Sequence, residues 1–249
     1  MRSRLHTRSD PRAGFTMVVI AALFIAFAVI AAVAVERNTV TQQITRRDAT
    51  QAQLDRLANA ILDYATFSGG LFPCPAQLDL ATTDGGFGSS VNTAGTQNCS
   101  GTDHTSITRS TDVVRGMVPV QTLSAYGIGI NEAFDPWNNR IFYAVNRQLT
   151  TNGSRIVAGN PTLTDARTGM TLAQPDFILF SVGKDGLGGF KRSNASTTPD
   201  LACAASTVLR LENCDGDATF LIAPTFTDSS ATAATYFDDI IVFYRGNTP

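Results

Sequence analysis

The sequence predicts an α+β fold in which one long N-terminal helix packs on an antiparallel β-sheet, with disulfide-stapled loops between the strands. Three observations point there. An apolar run from Phe15 to Val35, broken only by Thr16, passes directly into a segment with helical periodicity. Four later segments are β-branched or aromatic and bounded by turn residues. Four cysteines, Cys74, Cys99, Cys203 and Cys214, lie in and around long stretches without periodicity.

Taken in order, residues 1–14 form a basic leader, with Arg2, Arg4, Arg8 and Arg12 against the single acid Asp10. Residues 15–35 follow as an uncharged apolar stretch. At about 1.5 Å per residue it reaches roughly 30 Å, the hydrocarbon thickness of a bilayer, so a transmembrane half-helix is expected. The excess of arginine before it predicts a cytoplasmic N-terminus and an exported remainder, a single-pass membrane protein.

Residues 36–67 continue as an amphipathic half-helix. Val40, Ile44, Leu54, Leu57, Ala58, Ile61 and Ala65 recur near helical spacing, and Arg46, Arg47, Asp48, Gln51, Asp55 and Arg56 stand between them. Ser68-Gly69-Gly70 supplies the stop.

Residues 68–249 make up the sheet domain. It opens with a Gly-, Ser-, Thr- and Asp-rich surface loop that runs to about Asp112. Strands are expected at Ile141 to Val145, Phe177 to Val182, Thr219 to Ile222 and Ile240 to Tyr244. A sheet of this size needs one face covered, and the second half of the helix is the cover.

Three cysteine pairings are open. Cys74–Cys99 and Cys203–Cys214 are favoured because each closes a loop between neighbours in sequence, under the oxidising conditions an exported domain meets. The short paired spacings of a zinc site are absent.

Charge narrows the function classes. The formal charge is −2, and losing a leader with four arginines and one aspartate takes it to −5, so nucleic-acid binding through a general basic patch is not expected. Catalysis has little to work with. The two histidines are His6, in the leader, and His104, in the Ser/Thr-rich loop, and no nucleophile motif such as G-x-S-x-G is present. An enzyme is not expected.

The N-terminus admits three readings. An ordinary secretory signal would be cut after Ala32-Val33-Ala34, before Val35, although its apolar core would be long for that class. A plain uncleaved anchor is the second. The third rests on "RAGFTM", which resembles the class III signal of the type IV pilin and pseudopilin superfamily, with Gly14 and Phe15 at the positions where a prepilin peptidase cuts and then methylates the new N-terminus.

Two internal segments are similar to the major pseudopilin of type II secretion systems. "DPWNNRIFYAVN" (135–146) is similar to its D-P-W-G-N segment, with Asn138 in place of the usual glycine, and "FILFSVGKDGLGG" (177–189) to its S-x-G-x-D-G loop. "LFPCPA" (71–76) resembles a variant found just after the long helix in some prepilin-like proteins.

The resemblance implies a pilin-like fold and a structural subunit of a type II secretion pseudopilus, first held as a single-pass protein of the bacterial inner membrane with its C-terminal domain in the periplasm. Its partners would be a prepilin peptidase, other pseudopilins or pilins, and an inner-membrane assembly platform. It departs from the family at Val19, the fifth residue counted from Phe15, where glutamate is usual. That carboxylate is thought to meet the N-terminal amine of the adjacent subunit. Without it, a minor or tip-proximal place is expected. A minor pilin of a type IV pilus is the alternative within the class, and a secreted soluble binding protein is the alternative outside it.

The resemblance also implies a calcium site, for which Ser181, Asp185, Asp238 and Asp239 are the candidate ligands. The plainer reading makes Asp185-Gly186 a turn, and Asp238-Asp239 a solvated cap at the start of a strand. "NCDGDAT" (213–219) lacks the spacing of an EF-hand and reads as a disulfide-bounded turn. "GKDGLGG" fits neither phosphate-loop pattern and reads as a glycine-rich hairpin. Trp137 reads as a core anchor, with a sugar- or aromatic-binding surface as the other use of an indole at that place.

Overall fold

The computed structural model describes residues 11–90, 99, 108–109, 112–151, 159–192, 213, 217–223 and 237–246. The chain divides into two compact units, Met1–Arg47 and Asp48–Pro249, and the boundary falls inside a helix.

That helix, α1, spans Pro11–Phe67. Its described part begins inside the leader, four positions before Phe15. In the first unit every described side chain from position 20 to 32 is exposed. Among the described residues no helix is long and apolar enough to cross a membrane. The expectation of a single-pass inner-membrane protein is thereby overturned.

In the second unit the end of α1 buries Leu54, Leu57, Ala58, Ile61 and Ala65, a stripe on one helical face. The helix stops at the glycines. Gly70 N–H donates to Ala65 O at 2.8 Å and Gly69 takes φ +70°, so the last carbonyls are satisfied by a left-handed exit that glycine adopts at little cost.

Eight strands follow among the described residues: β1 Thr108–Arg109, β2 Val113–Met117, β3 Phe142–Asn146, β4 Thr162–Asp165, β5 Thr171–Ala173, β6 Phe177–Ser181, β7 Thr219–Ile222 and β8 Ile240–Tyr244. Five form an antiparallel sheet in the order β1-β2-β3-β6-β8. The others form a small sheet, β5-β4-β7, in which β4 and β7 run parallel.

Every residue of β2, β3 and β6 is buried, so the large sheet is covered on both faces rather than one. The register puts Tyr143 opposite Leu179 and Val145 opposite Phe177 on one face. Tyr64 of α1 packs against the core that holds Tyr143, and Phe72, just past the helix, meets Phe177 at 5.5 Å between ring centres. On the other face Phe142 stacks on Phe180 at 4.8 Å, and Phe220 of β7 packs on Phe180 at 5.5 Å. The helix therefore covers one face and the small sheet the other. Between them Arg115 is buried with its guanidinium 4.8 Å from the centres of both the Phe142 and Phe180 rings, a cation-π pairing that keeps a charge inside an aromatic layer.

Cys74 and Cys99 form a disulfide with a Cα–Cα distance of 5.6 Å across 25 residues, as the spacing argument expected. Closing a loop of that size contributes about 3 kcal/mol in the chain-entropy account. Cys203 and Cys214 lie outside the described residues, as do His6 and His104.

Candidate functional site

Two surfaces carry the residues singled out in the sequence. The first belongs to α1 in the first unit. Gly14, Phe15 and Val19 all lie in its helical backbone. A few residues on, Ile20, Leu23, Phe24, Ala26, Phe27 and Ile30 line an open apolar concavity. Phe24 is 71% exposed, Phe27 72%, Ile30 68% and Leu23 65%. Large side chains in contact with water to this extent mark a surface that something else covers.

The second lies in the sheet domain, where two turns are tied together. Asp135 opens the first. Its Oδ1 accepts from the Trp137 N–H at 2.9 Å and the Asn139 N–H at 2.8 Å, which folds the chain back on itself. Asn138 completes the reversal with φ +64°, a left-handed conformation that asparagine tolerates better than other side chains, so the missing glycine does not prevent the turn.

Asp135 Oδ2 then receives the hydroxyl of Ser181 at 2.6 Å and the Asn139 amide at 3.2 Å. Asn139 Nδ2 also donates to Gly183 O at 2.7 Å, and the Gly183 N–H donates to Ser181 Oγ at 3.1 Å. The 135–139 turn and the loop after β6 thus share one buried hydrogen-bond network. Burial pushes the Asp135 carboxyl above its ordinary pKa, opposed by the bonds from Ser181, Asn139 and Trp137.

The candidate calcium ligands divide between this network and a neighbouring one. Ser181 belongs with Asp135. Asp238 Oδ2 accepts from the Lys184 N–H at 2.6 Å and the Asp185 N–H at 2.9 Å, while Asp185 Oδ1 accepts from the Leu187 N–H at 3.0 Å and closes its own turn. Asp239 Oδ2 accepts from Asn213 Nδ2 at 2.7 Å, and Asn213 also binds both the N–H and the C=O of Leu221 in β7.

Neither Asp238 nor Asp239 is a solvated cap, since both are buried. Burial raises the Asp239 pKa well above its usual value. Asp238 and Asp185 push it the same way, against the Asn213 hydrogen bond and the Arg115 charge. Among the described residues no group of three or more His, Cys, Asp or Glu side chains is placed to hold a metal ion. The oxygens just described are directed at backbone amides, a hydroxyl and Asn213, whereas calcium takes six to eight oxygen ligands converging on one point. What the arrangement does is fasten loops.

Trp137 is half-buried. It packs against the core and also lines a groove with Thr82, Asn138, Lys191 and Arg192. Asp135, Asn139 and Asn213 were missed as network residues, although the D-x-x-x-N spacing of the first pair is that of a turn whose carboxylate caps the two amides beyond it. No protein-family model, curated protein or solved structure matches the chain.

Proposed function

We propose that this chain is a structural subunit, minor or tip-proximal, of a pseudopilus of the type II secretion kind, joined to its neighbours through its N-terminal helix to help export proteins. The observation that carries the proposal is the exposed apolar surface of α1 from Ile20 to Ile30. A helix with Leu23, Phe24, Phe27 and Ile30 in water gains about 25 cal/mol for each Å² it buries, and equivalent helices of other subunits are the cover that fits. Subunits joined by such head-to-tail contacts form open helical filaments when the rotation does not close.

The junction Gly14-Phe15, preceded by four arginines, supports processing by a prepilin peptidase before assembly. Val19 supports a place at the tip, because an apolar side chain offers no carboxylate to the amine of an adjacent subunit. "DPWNN" and "SVGKDG" favour the secretion machine over a type IV pilus. The buried carboxylates in the loops serve as hydrogen-bond acceptors in this reading.

The test is the mature N-terminus. The full chain is co-expressed with a prepilin peptidase and analysed by intact mass and N-terminal peptide sequencing. An N-methylated Phe15 is the expected result. A chain that begins at Val35, or one unchanged by the peptidase, would overturn the proposal.

A further inference from the structure

Where the 135–139 turn meets the chain after the 183–189 loop, Thr82, Trp137, Asn138, Lys191 and Arg192 line a groove of about 660 Å³. We propose that this groove binds a carboxylate-bearing segment of a partner polypeptide. The inference does not depend on how the helices assemble.

The lining determines the ligand's chemistry. Lysine, arginine and the indole N–H are donors with no accepting atom, and only the threonine hydroxyl and the asparagine amide can do both. A sugar, which needs donors and acceptors alternating around its ring, matches this set poorly. A group made only of acceptors matches it well. Trp137 adds an apolar wall. An inorganic anion has nothing to place against an indole, whereas an acidic side chain or a C-terminal residue brings a carboxylate and a hydrocarbon stem together. Tryptophan and arginine are also the residue types on which peptide recognition most often turns.

The groove is built in advance. Lys191 Nζ donates to Asn139 Oδ1 and to Trp137 O, and residues 139 and 191 pair as an isolated β-bridge. The Arg192 N–H donates to Asn138 O at 3.0 Å. The Arg192 guanidinium donates to Asn131 Oδ1 at 2.7 Å and lies 4.9 Å from the centre of the Phe134 ring, so a neutral amide and a neutral ring orient it without cancelling its charge. A ligand therefore binds without first ordering these side chains. Because the chain as a whole is slightly acidic, it attracts anions only locally, and reversing the charge of Arg192 should weaken the attraction strongly.

Trp137 is the only tryptophan in the chain, so its emission reports on this groove alone. The full-length chain, kept dispersed in a nonionic detergent, is titrated with a capped peptide of alternating glutamate and leucine. The controls are the same peptide with glutamine for glutamate, and inorganic phosphate. The expected result is a saturable change in emission with the glutamate peptide only, weakened about tenfold or more by Arg192→Glu and less by Arg192→Gln. Both variants must keep the wild-type thermal midpoint, which separates lost binding from lost folding.

Four outcomes overturn the proposal: no response, equal responses to the two peptides, an undiminished response in Arg192→Glu, or a phosphate response of the same strength. A change in emission with protein concentration alone, abolished by Arg192→Glu, would overturn it too and give the groove to a second copy of the chain.

Discussion

The Ser181 hydroxyl meets Asp135 Oδ2 at 2.6 Å, joining the end of β6 to a turn 46 residues earlier in the chain. Asp135 is buried, and its donors are what make a charged carboxylate tolerable there. Ser181→Ala removes one donor. The expected loss is about 1–3 kcal/mol near neutral pH, from chemical denaturation. The loss should shrink as pH falls through the folded pKa of Asp135, which burial holds above the ordinary aspartate value, because the bond favours the ionised form and a protonated Asp135 needs it less. An equal loss at both pH values would mean that the hydroxyl acts by packing alone.

Asp239 provides a second pH dependence. Its folded-state pKa is raised, first by burial and then by Asp238 and Asp185. The sign follows: its contribution to stability is fully present below the unfolded pKa near 3.8 and is lost as pH rises through the folded value. Asp239→Asn keeps an acceptor for Asn213 and removes the titration. The variant should therefore gain stability relative to the wild type as pH rises above about 4, with a flatter profile from there to neutral pH. Urea midpoints across that range check it, and parallel profiles would refute it.

Gly183 has φ +64°, and a Cβ built on it would stand 2.5 Å from Asp238 O and 2.6 Å from Asp238 Cγ. Gly169 has nearly the same φ, +67°, with no atom within 4 Å of that position. Gly169→Ala should cost only the left-handed penalty, about 1–2 kcal/mol. Gly183→Ala should cost distinctly more and disturb the Asp238 acceptor. Thermal midpoints of the two variants, compared side by side, separate backbone strain from collision.

At the helix, two neighbours make opposite predictions. Gln53 Nε2 donates to the carbonyls of Glu132 and Phe134, at 3.0 and 2.9 Å, from a buried position. Gln53→Leu strands both acceptors and should cost about 1–3 kcal/mol. Arg56 makes a 3.1 Å ion pair with Glu132, but its side chain is 57% exposed, so Arg56→Ala should cost under about 1 kcal/mol. A reversed order in denaturation experiments would show that the surface pair holds the helix.

Much of the scaffold was legible in the residues. β7 and β8 lie where the β-branched and aromatic runs placed them, and β3 and β6 differ from the expected segments only at their ends. The helix stop at the glycines was readable from the same rules. β2 was not, because Arg115 and Gly116 interrupt "VVRGM" and only burial between two layers makes that arginine a core residue. β4 and β5 are short and partly polar, and nothing local signals that β4 pairs in parallel with a strand more than fifty residues further on. Covering one sheet face with the helix was a local inference, and the small sheet over the other face was out of its reach. At the loops, sequence distinguished acid-rich turns from solvent-facing ones poorly. Asp238 and Asp239 look like surface residues until the 184–185 amides and Asn213 are brought to them.

The pairing of β6 with β8 sets a schedule for folding. β6 is wholly buried and apolar apart from Ser181, and one of its two hydrogen-bonding edges is closed by Ile240–Tyr244, a strand made well after it. Until Ile240–Tyr244 has emerged, Phe177–Ser181 presents a bare, sticky edge of the kind that recruits other chains. The domain must therefore be held apart from its siblings until that strand is in place, and a product lacking Ile240–Tyr244 should clump rather than fold.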